Sequence, residues 1–210
     1  MVIVVQGWNR KNPPNNRTQE QNNPNSERGI EYDGLSRIGE LTKNQPKIQV
    51  VVFASSESEN TKNDILTTIK SFRSINPDGQ VILVGHSLGA DNLVELVNEN
   101  RDIEIDYMEL LDIADDYDDD NIPPNVKEII NRYVIDNSLF GATMGGEKVE
   151  IEDREKTKGE NIGYKNSSHR DIDQDLSDVV ANEVMQKITE RLNANMNKSN
   201  SSGKAENIKE

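Results

Sequence analysis

Apolar residues in this chain fall into short runs whose spacing switches between a continuous or alternating pattern and a helical one. Residues 1–5 (Met-Val-Ile-Val-Val) are uniformly apolar, as in a strand covered on both faces, and 48–54 form a second apolar strand. Leu35, Ile38 and Leu41 lie at helical spacing, as do Ile65, Leu66, Ile69, Phe72 and Ile75, a helix whose start is expected at the capping-box variant Thr61-x-x-Asp64. A third apolar run, 81–84, precedes another helical pattern: Ala90, Leu93, Val94 and Val97 share one face, and Asp91, Asn92, Glu95, Asn98 and Glu99 the other. Residues 103–112 form a further apolar-rich strand. Residues 125–137 fit both periods, and Tyr133-Val134-Ile135 favours a strand ending near Asp136. Turn-rich 141–146, an alternating stretch at 148–152 and a short strand-like segment at 161–165 follow. Leu176, Val179, Val180, Val184, Ile188 and Leu192 then mark a final amphipathic helix.

No internal repeat interrupts this order. Strand and helix in alternation imply an α/β fold: a mostly parallel sheet with helices on both faces.

Composition sharpens the picture at its ends. Only 33% of the 210 residues are hydrophobic and the mean hydropathy is −0.79, yet the polar residues concentrate outside the strands. Residues 9–28 are rich in Asn, Pro, Gln and Arg without apolar periodicity, and 193–210 read as a disordered, Asn-, Ser- and Lys-rich tail. The expected domain therefore spans 1–192, large enough for one core but too small to add a cap domain. A net charge of −14 argues against nucleic acid or anionic membrane surfaces as the main partner. No stretch approaches the ~18 apolar residues of a membrane helix, and a signal-peptide pattern is absent, so cytoplasmic is the default localisation. A chain opening directly on a strand is also what a domain trimmed from a longer protein would show, which keeps localisation and oligomeric state open. Zero cysteines exclude disulfides and thiolate zinc sites.

Candidate chemistry enters at residues 85–89. They read Gly-His-Ser-Leu-Gly, a G-x-S-x-G pattern placed between the 81–84 strand and the helix that follows. In such a nucleophile elbow the serine sits on a strained strand-to-helix turn that projects its hydroxyl, and the flanking glycines allow close backbone approach. Ser87 is the candidate nucleophile. A serine needs a base, and the chain has two histidines. His86 lies within the elbow and should point away from the attacking face, so elimination leaves His169, in the polar loop before the final helix. Among 38 acidic residues, position decides the third group. Asp112 ends the 103–112 strand, and groups of this kind cluster at the C-terminal ends of parallel strands; Asp115 and Asp136 remain alternatives. The chain order Ser87, Asp112, His169 matches the α/β-hydrolase order.

These residues resemble a small lipase-like member of the α/β-hydrolase superfamily. Gly-His-Ser-Leu-Gly is similar to the elbow of many lipases, and 110–115 (Leu-Leu-Asp-Ile-Ala-Asp) resembles the segment where some lipases carry their acid. Other superfamily members take it one strand later, near Asp136. The segment 168–173 resembles a catalytic-histidine loop running into an acidic helix start. The resemblance implies an oxyanion hole made of the Leu88 N–H and a donor after the first strand, for which Trp8 is the candidate. Related hydrolases often have His-Gly where this chain has Gln6-Gly7. It further implies a serine hydrolase acting on small-molecule or lipid carboxylic esters through an acyl-enzyme, with no metal or organic cofactor. Acyl transfer or thioester cleavage on the same residues is the alternative, as is a non-catalytic binding protein on this fold. The 9–28 stretch is then expected to hang over the site as a polar loop.

One further motif needs weighing. Asp116, Asp118 and Asp120 have the spacing of a calcium loop's start, but Asn121 stands where an EF-hand needs Gly and Lys127 where it needs Glu. A solvated acidic loop is the expectation.

Overall fold

A computed structural model of the chain describes residues 1–7, 34–42, 45, 47–54, 59–114, 121–135, 146 and 148–205. The 9–28 stretch, Trp8, Asp115, Asp136 and the acidic run 115–120 lie outside these described residues.

Six strands form one sheet: β1 (Val2–Gln6), β2 (Val50–Ala54), β3 (Ile82–His86), β4 (Tyr107–Leu111), β6 (Glu128–Val134) and β8 (Lys158–Tyr164). Their order is β2-β1-β3-β4-β6-β8 and every neighbouring pair is parallel. A separate two-stranded parallel ladder joins β5 (Asn121–Ile122) to β7 (Glu150–Ile151), the only part of the alternating 148–152 stretch that pairs. Among the described residues the helices are α1 (Ser36–Thr42), α2 (Glu59–Ile75), α3 (Leu88–Glu99), the single turn α4 (Ile172–Asp175) and α5 (Ser177–Ala205). The fold is α/β-hydrolase-like, and no cap domain stands among the described residues.

The uniformly apolar first run is explained by burial on both faces. Val2, Ile3, Val4 and Val5 are all sealed from solvent, and successive side chains enter different cores. Ile3 and Val5 join Leu83, Met108 and Leu110 against α2 and α3, through Ile65, Ile69, Leu93, Val94 and Val97. Val2 and Val4 join Ile82, Val84, Tyr107 and Leu111 against α1 and α5, through Leu35, Ile38, Val180, Val184 and Ile188. Each such side chain contributes about 1.5–3 kcal/mol on burial, so the sheet is held from both sides.

Several boundaries differ from the sequence reading, among them β8, which runs over Lys158–Tyr164 and not 161–165. Helix α2 starts at Glu59, so Thr61 and Asp64 lie inside its first turns. Strand β4 begins at Tyr107, and upstream Ile105 makes one isolated bridge to Val126. Helix α5 continues past Leu192 to Ala205, where the composition suggested a disordered tail. Its backbone bonds run along the helix and need no sheet partner, and no proline lies in 193–205 to break them.

The topology also fixes where a site belongs. From β1 the chain passes first to β2 on one side, and β3 then lies on the other side of β1. Strands flanking such a reversal leave a crevice beyond their C-terminal ends.

Candidate active site

Strand β3 ends at His86 and helix α3 starts at Leu88, so Ser87 alone makes the turn between them. Its φ of 53° lies in the left-handed region, a strain of order 1–3 kcal/mol for a residue with a side chain. The turn closes because the two glycines lack side chains. A Cβ on Gly89 would stand 2.3 Å from the Val5 carbonyl oxygen, and one on Gly85 would stand 2.7 Å from Cα of Ala90. The Ser87 N–H donates to the Leu111 carbonyl (3.0 Å), tying the turn to the end of β4.

Ser87 Oγ lies 2.8 Å from His169 Nε2, and His169 Nδ1 lies 2.7 Å from Asp112 Oδ2. These residues follow β3, β8 and β4 in space, all at the C-terminal edge of the sheet. Because the Asp112 carboxylate accepts the Nδ1 proton, the lone pair of Nε2 faces the serine hydroxyl.

Asp112 is fully buried. Its φ of 45° repeats the strain seen at Ser87. Its second oxygen, Oδ1, accepts from the Val134 N–H (2.6 Å) and the Gly146 N–H (3.0 Å). Those two donors were not visible in the sequence, because each is a backbone group presented by a different segment. A Cβ on Gly146 would stand 2.5 Å from the Ile113 amide nitrogen, which explains the glycine there.

His86 takes a part that elimination alone did not assign. It lies on the same face of β3 as Ile82 and Val84, which is the face covered by α5. From there its Nε2–H donates to the His169 backbone carbonyl (2.9 Å), and the two rings stand 5.5 Å apart. Burial lowers the His86 pKa below the ordinary 6.5, opposed by the nearby Asp173 carboxylate. Asp173 in turn accepts the Gly34 N–H (3.1 Å). Strand parity was the signal for this contact, since it puts His86 under the segment that carries His169.

At the mouth of the turn, the Leu88 N–H is the first amide of α3, ahead of the Ala90 and Asp91 N–H groups that both donate to the Ser87 carbonyl (2.9 and 3.1 Å). Gly7 abuts the same place: a Cβ there would meet His86 Nδ1 at 2.9 Å and Cβ of Ser87 at 3.0 Å. Among the described residues, no group of three His, Cys, Asp or Glu side chains is placed to hold a metal ion. No helix among them is long and apolar enough to cross a membrane.

No protein-family model matches the chain, and a search of curated proteins returns no match. Solved structures do resemble it. The protein Atu2452 of unknown function from Agrobacterium tumefaciens superposes with a TM-score of 0.50 at 12% identity, over 89% of this chain and 90% of that one. A cutinase-like protein from Cryptococcus sp. gives 0.47 at 15% identity, covering 91% and 93%. XC6422 from Xanthomonas campestris, an α/β serine hydrolase without lid, gives 0.46 at 12% identity, covering 90% and 81%. At these identities the likeness is one of fold.

Proposed function

We propose that this protein is a serine hydrolase that cleaves carboxylic esters of small molecules or lipids through an acyl-enzyme. The observation that carries the reading is the unbroken chain of contacts from Ser87 Oγ through His169 to the buried Asp112 carboxylate. His169 Nε2 takes the hydroxyl proton as Ser87 Oγ attacks the ester carbonyl carbon. The resulting oxyanion is met by the Leu88 N–H, with the Trp8 N–H as the proposed second donor beyond Gly7. Collapse of the tetrahedral intermediate breaks the bond to the alcohol oxygen, which receives the proton from His169 and leaves. Water then repeats the sequence on the acyl-serine, with His169 first its base and then the acid that returns the proton to Ser87 Oγ.

Asp112 keeps the imidazole in the tautomer this requires and stabilises the imidazolium as it forms. Two backbone N–H donors hold that carboxylate still, so it need not reorganise when charge develops on the ring.

Incubation with a fluorophosphonate probe, followed by peptide mass analysis, tests the proposal. The expected result is a single adduct on Ser87, together with turnover of p-nitrophenyl esters. A folded protein that neither reacts with the probe nor releases p-nitrophenol would overturn it and leave a binding role for the fold. Equal turnover of thioesters, or acyl transfer to added alcohols at the expense of hydrolysis, would move the substrate class but keep the residues.

A further inference from the structure

Beneath the site, on the α5 side of the sheet, lies a polar cluster that the proposed chemistry does not use. Arg132, in the middle of β6, is 2% exposed, and Glu109 on β4 is fully buried. The guanidinium makes three bonds: Nε donates to Glu109 Oε1 (2.8 Å), Nη1 to the Tyr164 hydroxyl (2.6 Å), and Nη2 to the Glu183 carboxylate. Glu109's other oxygen accepts the Tyr107 hydroxyl (2.9 Å).

The partners are informative because of where they lie in the chain. Glu109 stands on β4, three residues before Asp112. Tyr164 ends β8, directly before the loop that carries His169, and Glu183 lies on α5, which follows that loop. The backbone of Arg132 also takes part, since its carbonyl accepts the Asp112 N–H (2.7 Å). One residue thus bonds the strand leading into the acid, the acid itself, and the elements on either side of the base.

Apolar side chains could fill this space without loss of stability, because replacing a buried ion cluster by hydrophobic residues is often neutral or stabilising. What they would not supply is direction. A guanidinium fork fixes distance and angle to each acceptor, whereas packed alkyl chains tolerate sliding. Any slip of β8 or α5 against β4 would separate His169 from Asp112.

We propose that Arg132 is a positioning residue that holds Asp112 and His169 in register by fastening β4, β8 and α5 to β6. The proposal rests on the reading of Ser87, His169 and Asp112 given above. Its test replaces the cluster together, Tyr107→Phe/Glu109→Leu/Arg132→Met, so that no fully buried charge is left unpaired, the Glu183 side chain being 33% exposed. This variant is expected to melt at or above the wild-type temperature. Its kcat should fall about tenfold or more with KM unchanged, as sub-ångström misplacement of reacting groups predicts. The downfield NMR signal of the proton between His169 Nδ1 and Asp112 should shift or broaden in parallel, a readout that exists whether or not an ester is turned over. A folded variant with wild-type kcat and an unmoved signal would overturn the proposal.

Should the triple variant fail to fold, Tyr164→Phe removes one hydroxyl from a half-buried position. It should lower kcat about threefold, equivalent to part of one hydrogen bond, and move the same signal. Wild-type kcat with an unmoved signal in that variant would likewise overturn it. Arg132→Lys keeps the charge without the fork and should recover only part of the loss. Failure of the underlying reading looks different: wild-type protein would then carry no probe on Ser87, and Ser87→Ala would not change turnover.

Discussion

Two carboxylates, Glu109 within β4 and Asp112 just past its end, are both sealed from solvent, yet their surroundings differ. Glu109 faces a permanent cation, Arg132, and a tyrosine hydroxyl, so its charge is answered before any reaction begins. Asp112 faces two backbone N–H groups and an imidazole, so the charge it can answer is one that arises on His169. Burial pushes the Glu109 pKa up, and the Arg132 guanidinium pulls against it. The difference teaches that burial of an acid does not mark it as reactive. What sets Asp112 apart under the proposed function is its titratable neighbour, His169, which reaches the Ser87 hydroxyl.

The strongest way to break the comparison is to remove the groups that give Asp112 its task. Ser87→Ala, with an unchanged melting temperature, and His169→Ala should each lower kcat/KM for a p-nitrophenyl ester by about 10⁴-fold or more. The double variant should be little worse than either single one, because the two act as a unit; additive losses would argue against a shared mechanism. Next, Asp112→Asn should lower kcat by about 10³–10⁴-fold by favouring the wrong imidazole tautomer. Glu109→Gln, the matched change at the other carboxylate, should stay within about tenfold of wild type in kcat, the range set for displaced supporting groups. Equal losses at both positions would erase the distinction.

Arg132→Ala should then show the reverse pattern, with stability as the main casualty. Leaving Glu109 buried without its cation costs about 3–5 kcal/mol, measured by denaturant unfolding. A loss below 1 kcal/mol would mean that the cluster is not closed to water.

The smallest effect sharpens the histidine side. Burial holds the folded His86 pKa below the ordinary 6.5, so in more acidic solution the unfolded chain binds a proton that the folded one does not. Stability is therefore present above that pH and is lost as pH falls through and below it, with a slope of at most about 1.4 kcal/mol per unit from this group. His86→Gln, which retains a donor for the His169 carbonyl, should flatten that part of the stability–pH curve. An unaltered slope would place the titration elsewhere.

Much of the molecule was legible in the order of its residues. The uniformly apolar runs of β1 and β3, the helical spacing from Ala90 to Val97 and the glycines around Ser87 are local signals, and local sterics turn them into a doubly covered sheet with a strained turn. Asp112 and His169 could be named as candidates by strand order and elimination, but Asp115 and Asp136 stayed open, because spacing along a chain does not measure distance across a sheet. Only the tertiary structure shows the 2.7 Å contact of Asp112 with the His169 imidazole, the backbone amides of Val134 and Gly146 that meet the same carboxylate, and His86 beneath the His169 carbonyl. The Arg132 cluster belongs to the same class. Its members come from three strands and a helix, and a charge within an apolar stretch reads as a misplaced surface residue until the partner that neutralises it is seen in space.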